Sequence, residues 1–368
     1  MGYSWGDDTA ANWGGSATTG AFNYGKAEAG YNTNDGKTYV NPETGAQLSA
    51  NMGDAYKLSK KIMASALKPE EIELLKRLKP EDITVSQGRY DKAELVLTAA
   101  GTPYQMSSME LRPKQMLLIN CPGGNLEQYT YQGQRGVKAL NKFIEDGGYL
   151  VTTDWALETV IQSAFPGFIQ RGSTNTKDDL VEVSLVAAGS PYTEGLGRGS
   201  LKPVWWLENA SYPIKLLNER NIDVLLASDE MRRLYQEPAI AVKFQIGEGR
   251  VIHVTSHFYL QTVKTKYEAQ AKKSGLDFAT KFIGIAQDEA ETIKDLDKIV
   301  FGALESAYTS MRFVHNIILH QLKSKYHPQG LIAEKPIEVI GQLGAKSVAI
   351  PLIGRKPSTR LLIPKKGE

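Results

Sequence analysis

The chain has 368 residues, 42% of them hydrophobic, enough to fill the core of one large domain or two ordinary ones. Its 43 basic and 41 acidic residues leave a formal charge of +2, a balance that argues against nucleic acid or a membrane surface as partner. One cysteine excludes an internal disulfide, the five histidines lie far apart without metal-ligand spacing, and there is no apolar run of about 18 residues to span a bilayer. Neither a metal nor a cofactor is expected. The opening MGYSWGDDTAANWGG lacks the basic and apolar regions of a secretory signal, so cytoplasmic residence is the expectation.

Residues 1–50 are rich in Gly, Asn, Thr and Ala with isolated aromatics, and aliphatic residues are nearly absent before Val40. Such a stretch cannot bury enough surface to fold alone. It reads either as a disordered tail or as an arm that Trp5, Trp13, Phe22, Tyr24 and Tyr31 anchor on a neighbouring subunit. Residues 51–80 read as a helical adaptor. GDAYKLSKKIMASAL places Tyr56, Leu58, Ile62, Met63 and Leu67 on roughly one face, and Pro69 followed by two glutamates opens a second helix.

From residue 82 strand and helix patterns alternate. ITVSQG, YQMSSMEL, the continuous apolar run KQMLLINC and YLVTTDW read as strands. Between them, YDKAELVLTAAG and GQRGVKALNKFIEDGG read as helices that stop on glycine. ALETVIQSAFPG is the next helix, and LVEVSLV, PVWWL, NIDVLLAS, AIAVKFQIG and RVIHVTS supply further strands. This order predicts an α/β domain over 81–262, with a mostly parallel sheet and helices on both faces. Helices follow over 263–326, the last a long amphipathic one that must bury one side on its own domain or on a partner. Residues 327–368 carry prolines every few residues, which favours an extended tail. From Lys346 onward that tail has six basic residues against one acid. A solvated tail and an arm docking on another subunit both fit.

Four local sequences give a resemblance: LLINCPGG, ALNKFIEDGGYLVTTDW, IDVLLASDE and PAIAVKFQIGEGRVIHVTSHF. In this order, over about half the chain, they resemble the class I glutamine-amidotransferase-like superfamily. That group includes the ThuA-like and DJ-1/PfpI proteins and the trimerisation domain of some β-galactosidases. The resemblance implies a flavodoxin-like fold. It also implies a strand-to-helix elbow at TTDWALE, where the amidotransferases mount a nucleophilic cysteine. Here that slot falls on Asp154 or Trp155, and neither can act as a thiolate.

Cys121 lies one strand earlier, where the resemblance puts an oxyanion turn, and Gly123 and Gly124 just after it are expected to line the ligand pocket. No basic residue flanks it, so it reads as a small buried hydrophobe, a pocket wall or, least of the three, a nucleophile. His257 matches the superfamily's triad histidine. With Asp154, and with Glu158 one turn along, it would form a strand-end acid–base site, or else a pair that holds loops together. Trp155 and Glu158 are expected to line the same pocket. His253 sits two residues before Thr255 on the strand that leads to His257 and is expected on the same face as His257. GLGRG (195–199) lacks the Lys-Ser/Thr ending of a phosphate loop, and His315 and His320, five apart on a helix, are not a ligand pair. Of Trp205 and Trp206, one is expected in the core and the other at a pocket or interface.

Three functions follow. The first is a non-enzymatic assembly protein on a degenerate amidotransferase-like domain, forming a homo-oligomer or polymer through its terminal arms. The second is a binder or hydrolase of a carbohydrate-type small molecule at the strand ends. The third is a regulatory module whose last helix or basic tail docks a different protein.

Overall fold

The computed structural model describes residues 39–327 apart from 42–43, 107–110, 122–133, 187–188, 198–201, 261 and 263–264. Residues 1–38 of the expected aromatic arm and the tail beyond His327 lie outside the described residues, as do Gly123 and Gly124. The end of the expected arm is described and forms a small pair of strands.

Strands β1 (Tyr39–Val40) and β2 (Gln47–Leu48) pair ahead of helix α1 (Met52–Ala66), whose N-cap Asn51 accepts the Asp54 N–H through its side chain. Helix α2 (Pro69–Leu75) opens on Pro69 as expected. The α/β alternation then runs through β3 (Ile83–Ser86), α3 (Ala93–Ala100), β4 (Gln105–Met106), β5 (Met116–Ile119), α4 (Gln134–Glu145) and β6 (Tyr149–Thr153). A π-helical turn, Leu157–Ile161, continues into Gln162–Ala164. The rest of the sheet and its neighbours follow as β7 (Ile169–Arg171), β8 (Asp179–Glu182), β9 (Ser184–Leu185), β10 (Val204–Leu207), β11 (Ile214–Leu216) and β12 (Ile222–Ala227). Helix α5 (Asp229–Tyr235), β13 (Ala239–Ile246) and β14 (Gly249–Val254) complete the run.

The main sheet has the order β4-β3-β5-β6-β14-β13-β11-β7, with β12 also paired to β13 and β9 paired to β12. Its pairs from β4 to β14 are parallel, and those from β14 to β7 are antiparallel. Side chains alternate between its faces as the pleat requires. Met116 and Leu118 join one apolar cluster with Ile83, Val85 and Val151, under α1 and the last helix. Leu117 and Ile119 join another with Leu150 and Val251, under Leu140, Phe143 and Ile144 of α4. Both faces are therefore covered, and the fold is α/β as the alternating patterns predict. The β13–β14 hairpin turns so tightly against the end of α4 that a Cβ on Gly249 would lie 2.0 Å from the Ile144 carbonyl oxygen.

The last helix, α6 (Phe301–Tyr326), differs from the one-sided amphipathic helix expected. Every residue from Phe301 to Leu322 is buried, so the helix runs through the core of its own chain and presents no docking face over that length. Many of its polar side chains find partners inside, although among the described residues the Tyr308 hydroxyl, one Arg312 nitrogen and the Gln321 amide oxygen do not. Thr309 accepts from the Trp205 indole at 2.9 Å, His315 pairs with the Thr102 hydroxyl at 2.7 Å, and His320 pairs with the Tyr149 hydroxyl at 2.7 Å. The Asn316 amide donates to the Tyr192 and Glu194 carbonyls at 3.1 and 2.8 Å. Arg312 donates its Nε to the Glu194 carbonyl at 3.0 Å. Partners for most of these polar groups, Arg312 among them, permit burial that an exposed-face pattern does not anticipate.

Candidate functional site

Three of the parallel strands lie side by side as β5, β6 and β14, with Ile119 opposite Thr152 and Val254 opposite Thr153. The chain leaves all three at the same sheet edge, so residues just past their carboxyl ends converge. Cys121 follows β5, Asp154 follows β6 and His257 follows β14. All three are buried, at 0%, 3% and 4% exposure.

Asp154 begins the turn from β6 into the π-helical segment with φ +45°, a left-handed conformation uncommon outside glycine. Its N–H donates to the Val254 carbonyl at 2.8 Å, tying the turn to β14. TTDWALE thus forms a strained turn from strand to helix, with Asp154 rather than Trp155 in the left-handed position. The carboxylate is heavily engaged. Oδ1 accepts the Tyr212 N–H at 2.8 Å, and Oδ2 accepts the Ser211 hydroxyl at 3.0 Å and faces the Cys121 thiol at 3.6 Å.

His257 stands between two carboxylates. Its Nδ1 is 2.7 Å from Glu208 Oε2 and its Nε2 is 3.3 Å from Asp154 Oδ2, the second contact lying off the line a hydrogen bond needs. Burial opposes a charged imidazole here. The Glu208 charge and the proximity of Asp154 and Cys121 outweigh it, holding His257 well above its usual range. Burial pushes the Asp154 carboxyl up against the opposing pull of His257, Tyr212 and Ser211. The Cys121 thiol is pushed up to about 12, first by burial and then by the Asp154 charge, so it is a neutral thiol at neutral pH.

Neighbouring groups hold the strand ends in place. The buried Asp91 accepts the Phe258 and Tyr259 N–H groups at 2.9 and 3.1 Å, fixing the chain directly after His257. Asn120 caps α3 by accepting the Ala93 N–H at 3.1 Å and donates to Glu94 at 2.7 Å. A Cβ on Gly88 would lie 2.4 Å from the Asn120 Cβ and 2.6 Å from the Cys121 oxygen, so only glycine lets the β3 end pass beside Cys121.

The three strongest sequence candidates, Asp154, His257 and Cys121, thus meet, while others do not join them. Glu158 turns instead to Arg171 at 3.5 Å, and Glu208 occupies the place beside His257 that Glu158 was expected to support. Trp155 is half-buried, donates its indole N–H to the Ala210 carbonyl at 2.8 Å and stacks on Tyr212, bracing the 208–212 loop. His253 pairs with the Thr152 hydroxyl at 2.8 Å, and burial lowers its pKa to about 3. Trp205 and Trp206 are both buried, so neither lines an open surface. Glu208 and Ser211 escaped the sequence reading. They lie in a loop without periodicity, although an acid directly after a buried strand was a usable hint.

No protein-family model matches the chain, and no curated protein matches it. Among solved structures it is similar to a β-galactosidase from Bacillus circulans sp. alkalophilus (14% identity, TM-score 0.33, 51% of this chain and 31% of that one). It is also similar to an exo-β-1,4-mannosidase from Opitutaceae bacterium strain TAV5 (10% identity, TM-score 0.32, 50% of this chain and 32% of that one). A cytoplasmic protein from Salmonella typhimurium matches at 12% identity and TM-score 0.32, over 59% of this chain and 98% of its own. The chain spans about a third of the two glycosidases. At these TM-scores the likenesses carry no inference about activity. Among the described residues, no helix is long and apolar enough to cross a membrane.

Proposed function

We propose that this chain is a non-enzymatic assembly protein built on a degenerate amidotransferase-like α/β domain, self-associating through its terminal segments. The observation that carries this reading is the elbow. Its strained residue is Asp154, whose two carboxylate oxygens are taken up by Tyr212 and Ser211 in a site only 3% exposed. A nucleophile needs a free, approachable atom, whereas this carboxylate latches the 208–212 loop to the sheet edge. Burial of Cys121 removes the other reactive group from use. The self-association half of the proposal is supported by the spaced aromatics of residues 1–50 and the proline-spaced basic segment after Lys346. Cytoplasmic residence belongs to the same proposal, since a lone cysteine held as a thiol suits a reducing compartment.

Sedimentation velocity and electron microscopy of the full chain test the proposal. We expect assemblies well above the 40.5 kDa monomer that shrink when residues 1–38 are removed. A monodisperse monomer unaffected by that removal overturns it.

A second reading is favoured by one arrangement. Asp154, Glu208 and His257 follow one another in the chain order nucleophile, acid, histidine, with His257 bridging the two carboxylates at 3.3 and 2.7 Å. This would suit a glycoside hydrolase in which the Asp154 carboxylate displaces the leaving alcohol at the anomeric carbon to give an aspartyl ester that water then cleaves. A thermal-shift and turnover screen of saccharides and aryl glycosides separates the readings. The hydrolase requires a ligand whose binding or turnover is lost in both Asp154→Ala and His257→Ala.

A further inference from the structure

The Cys121 thiol, the Asp154 carboxylate and the His257 imidazole bring one ligand atom each to within 4.8 Å of one another, all buried. We infer that Cys121 Sγ, Asp154 Oδ2 and His257 Nε2 form a binding site for a divalent transition-metal ion of the zinc type. Each atom is of a kind that zinc accepts, and the mixed S, O and N set suits a borderline-soft ion better than magnesium or calcium.

The spacing supports the assignment. With Zn–S at about 2.3 Å and Zn–N and Zn–O near 2.1 Å, tetrahedral angles place sulfur about 3.6 Å from oxygen and nitrogen about 3.4 Å from oxygen. The observed separations are 3.6 Å for Cys121 Sγ to Asp154 Oδ2 and 3.3 Å for His257 Nε2 to Asp154 Oδ2. Both distances also suit hydrogen bonds, but His257 Nε2 makes none of good geometry, although it is buried and within 4.8 Å of the other two ligand atoms. The buried hydroxyls of Thr153, Thr255 and Ser256, each within two residues of Asp154 or His257, likewise have no partner among the described residues. Several unsatisfied polar atoms at one strand edge fit a site that an ion and its water complete.

The outer contacts match as well. Ligating histidines generally donate their second ring N–H to a carboxylate, which fixes the ring and its tautomer, and Glu208 stands 2.7 Å from His257 Nδ1. The Tyr212 N–H and Ser211 hydroxyl orient the Asp154 carboxylate in the same manner. Three protein ligands leave a fourth position for water. The inference does not depend on the assembly role, since an ion so held stiffens the strand edge whether or not chemistry runs on it.

The test is cobalt and zinc titration of the full-length chain after dialysis against a chelator, with elemental analysis of protein purified without one. We expect one equivalent of metal per chain and, with Co²⁺, a thiolate charge-transfer band together with the visible absorption of a tetrahedral site. Cys121→Ser should abolish the charge-transfer band, and Glu208→Gln should weaken affinity about 10- to 100-fold while keeping the band. The wild-type spectrum is read without any variant, so a substitution that fails to fold does not shield the inference. Absence of stoichiometric binding by the wild-type chain overturns it, as does a charge-transfer band that persists in folded Cys121→Ser.

Discussion

Asp154 combines a left-handed backbone with a buried, multiply bonded carboxylate, and these two properties separate in its variants. Asp154→Ala leaves the Tyr212 N–H and Ser211 hydroxyl unpaired and removes one of the two charges flanking His257. Its expected cost in urea denaturation is on the order of 3–5 kcal/mol. Asparagine keeps an acceptor for Tyr212 and tolerates the left-handed region, so Asp154→Asn should cost roughly half as much. Equal losses from both would show that charge alone matters. Cys121 offers a second measurement. With its thiol raised to about 12 and fully buried, iodoacetamide at neutral pH should label it only as fast as the chain opens, with a rate that climbs with urea. Rapid labelling of the native chain would instead favour the enzymatic reading.

Helix α6 carries the element-scale lesson. Its three- and four-residue apolar spacing is legible in the sequence, but whether polar residues between those positions face water depends on what packs around them. Glu305 is the sharpest case. Burial raises its pKa from about 4.5 to about 8, against a partly compensating bond from the Val204 N–H at 3.2 Å. Below about pH 4.5 the group is protonated in both folded and unfolded chains, and no stability is lost. Between about 4.5 and 8 the unfolded chain releases its proton first, so stability falls as pH rises, and above 8 the loss is complete. Glu305→Gln keeps the acceptor without the charge. It should be more stable than wild type above pH 8 by on the order of a few kcal/mol, with the gap closing towards pH 4.5. Thermal melts across that range check it, and a gap independent of pH would refute the buried-acid explanation.

At the scale of the whole molecule, α1, α2 and α6 share one apolar cluster with β3, β5 and β6, so the segments on either side of residues 81–262 supply one wall of the core. Expressed alone, residues 81–262 should expose that face of the sheet and show no cooperative unfolding transition by circular dichroism, whereas residues 39–327 should retain one. A cooperative transition in the shorter fragment would make the flanking helices accessory.

Local pattern alone determined the strand and helix order, the glycine stops, the Pro69 helix start and the α/β class, because these follow from side-chain periodicity and backbone sterics within a few residues. The resemblance, rather than pattern, pointed to a turn at TTDWALE with its key slot on Asp154 or Trp155, and drew attention to Cys121 and His257 at the ends of strands. Only the tertiary structure decided that Glu208 rather than Glu158 stands beside His257, that Ser211 and Tyr212 hold Asp154, and that α6 is enclosed on every side. Those contacts join residues tens to hundreds of positions apart, and their geometry is set by which strands lie adjacent in the sheet, a property that no local window of sequence contains.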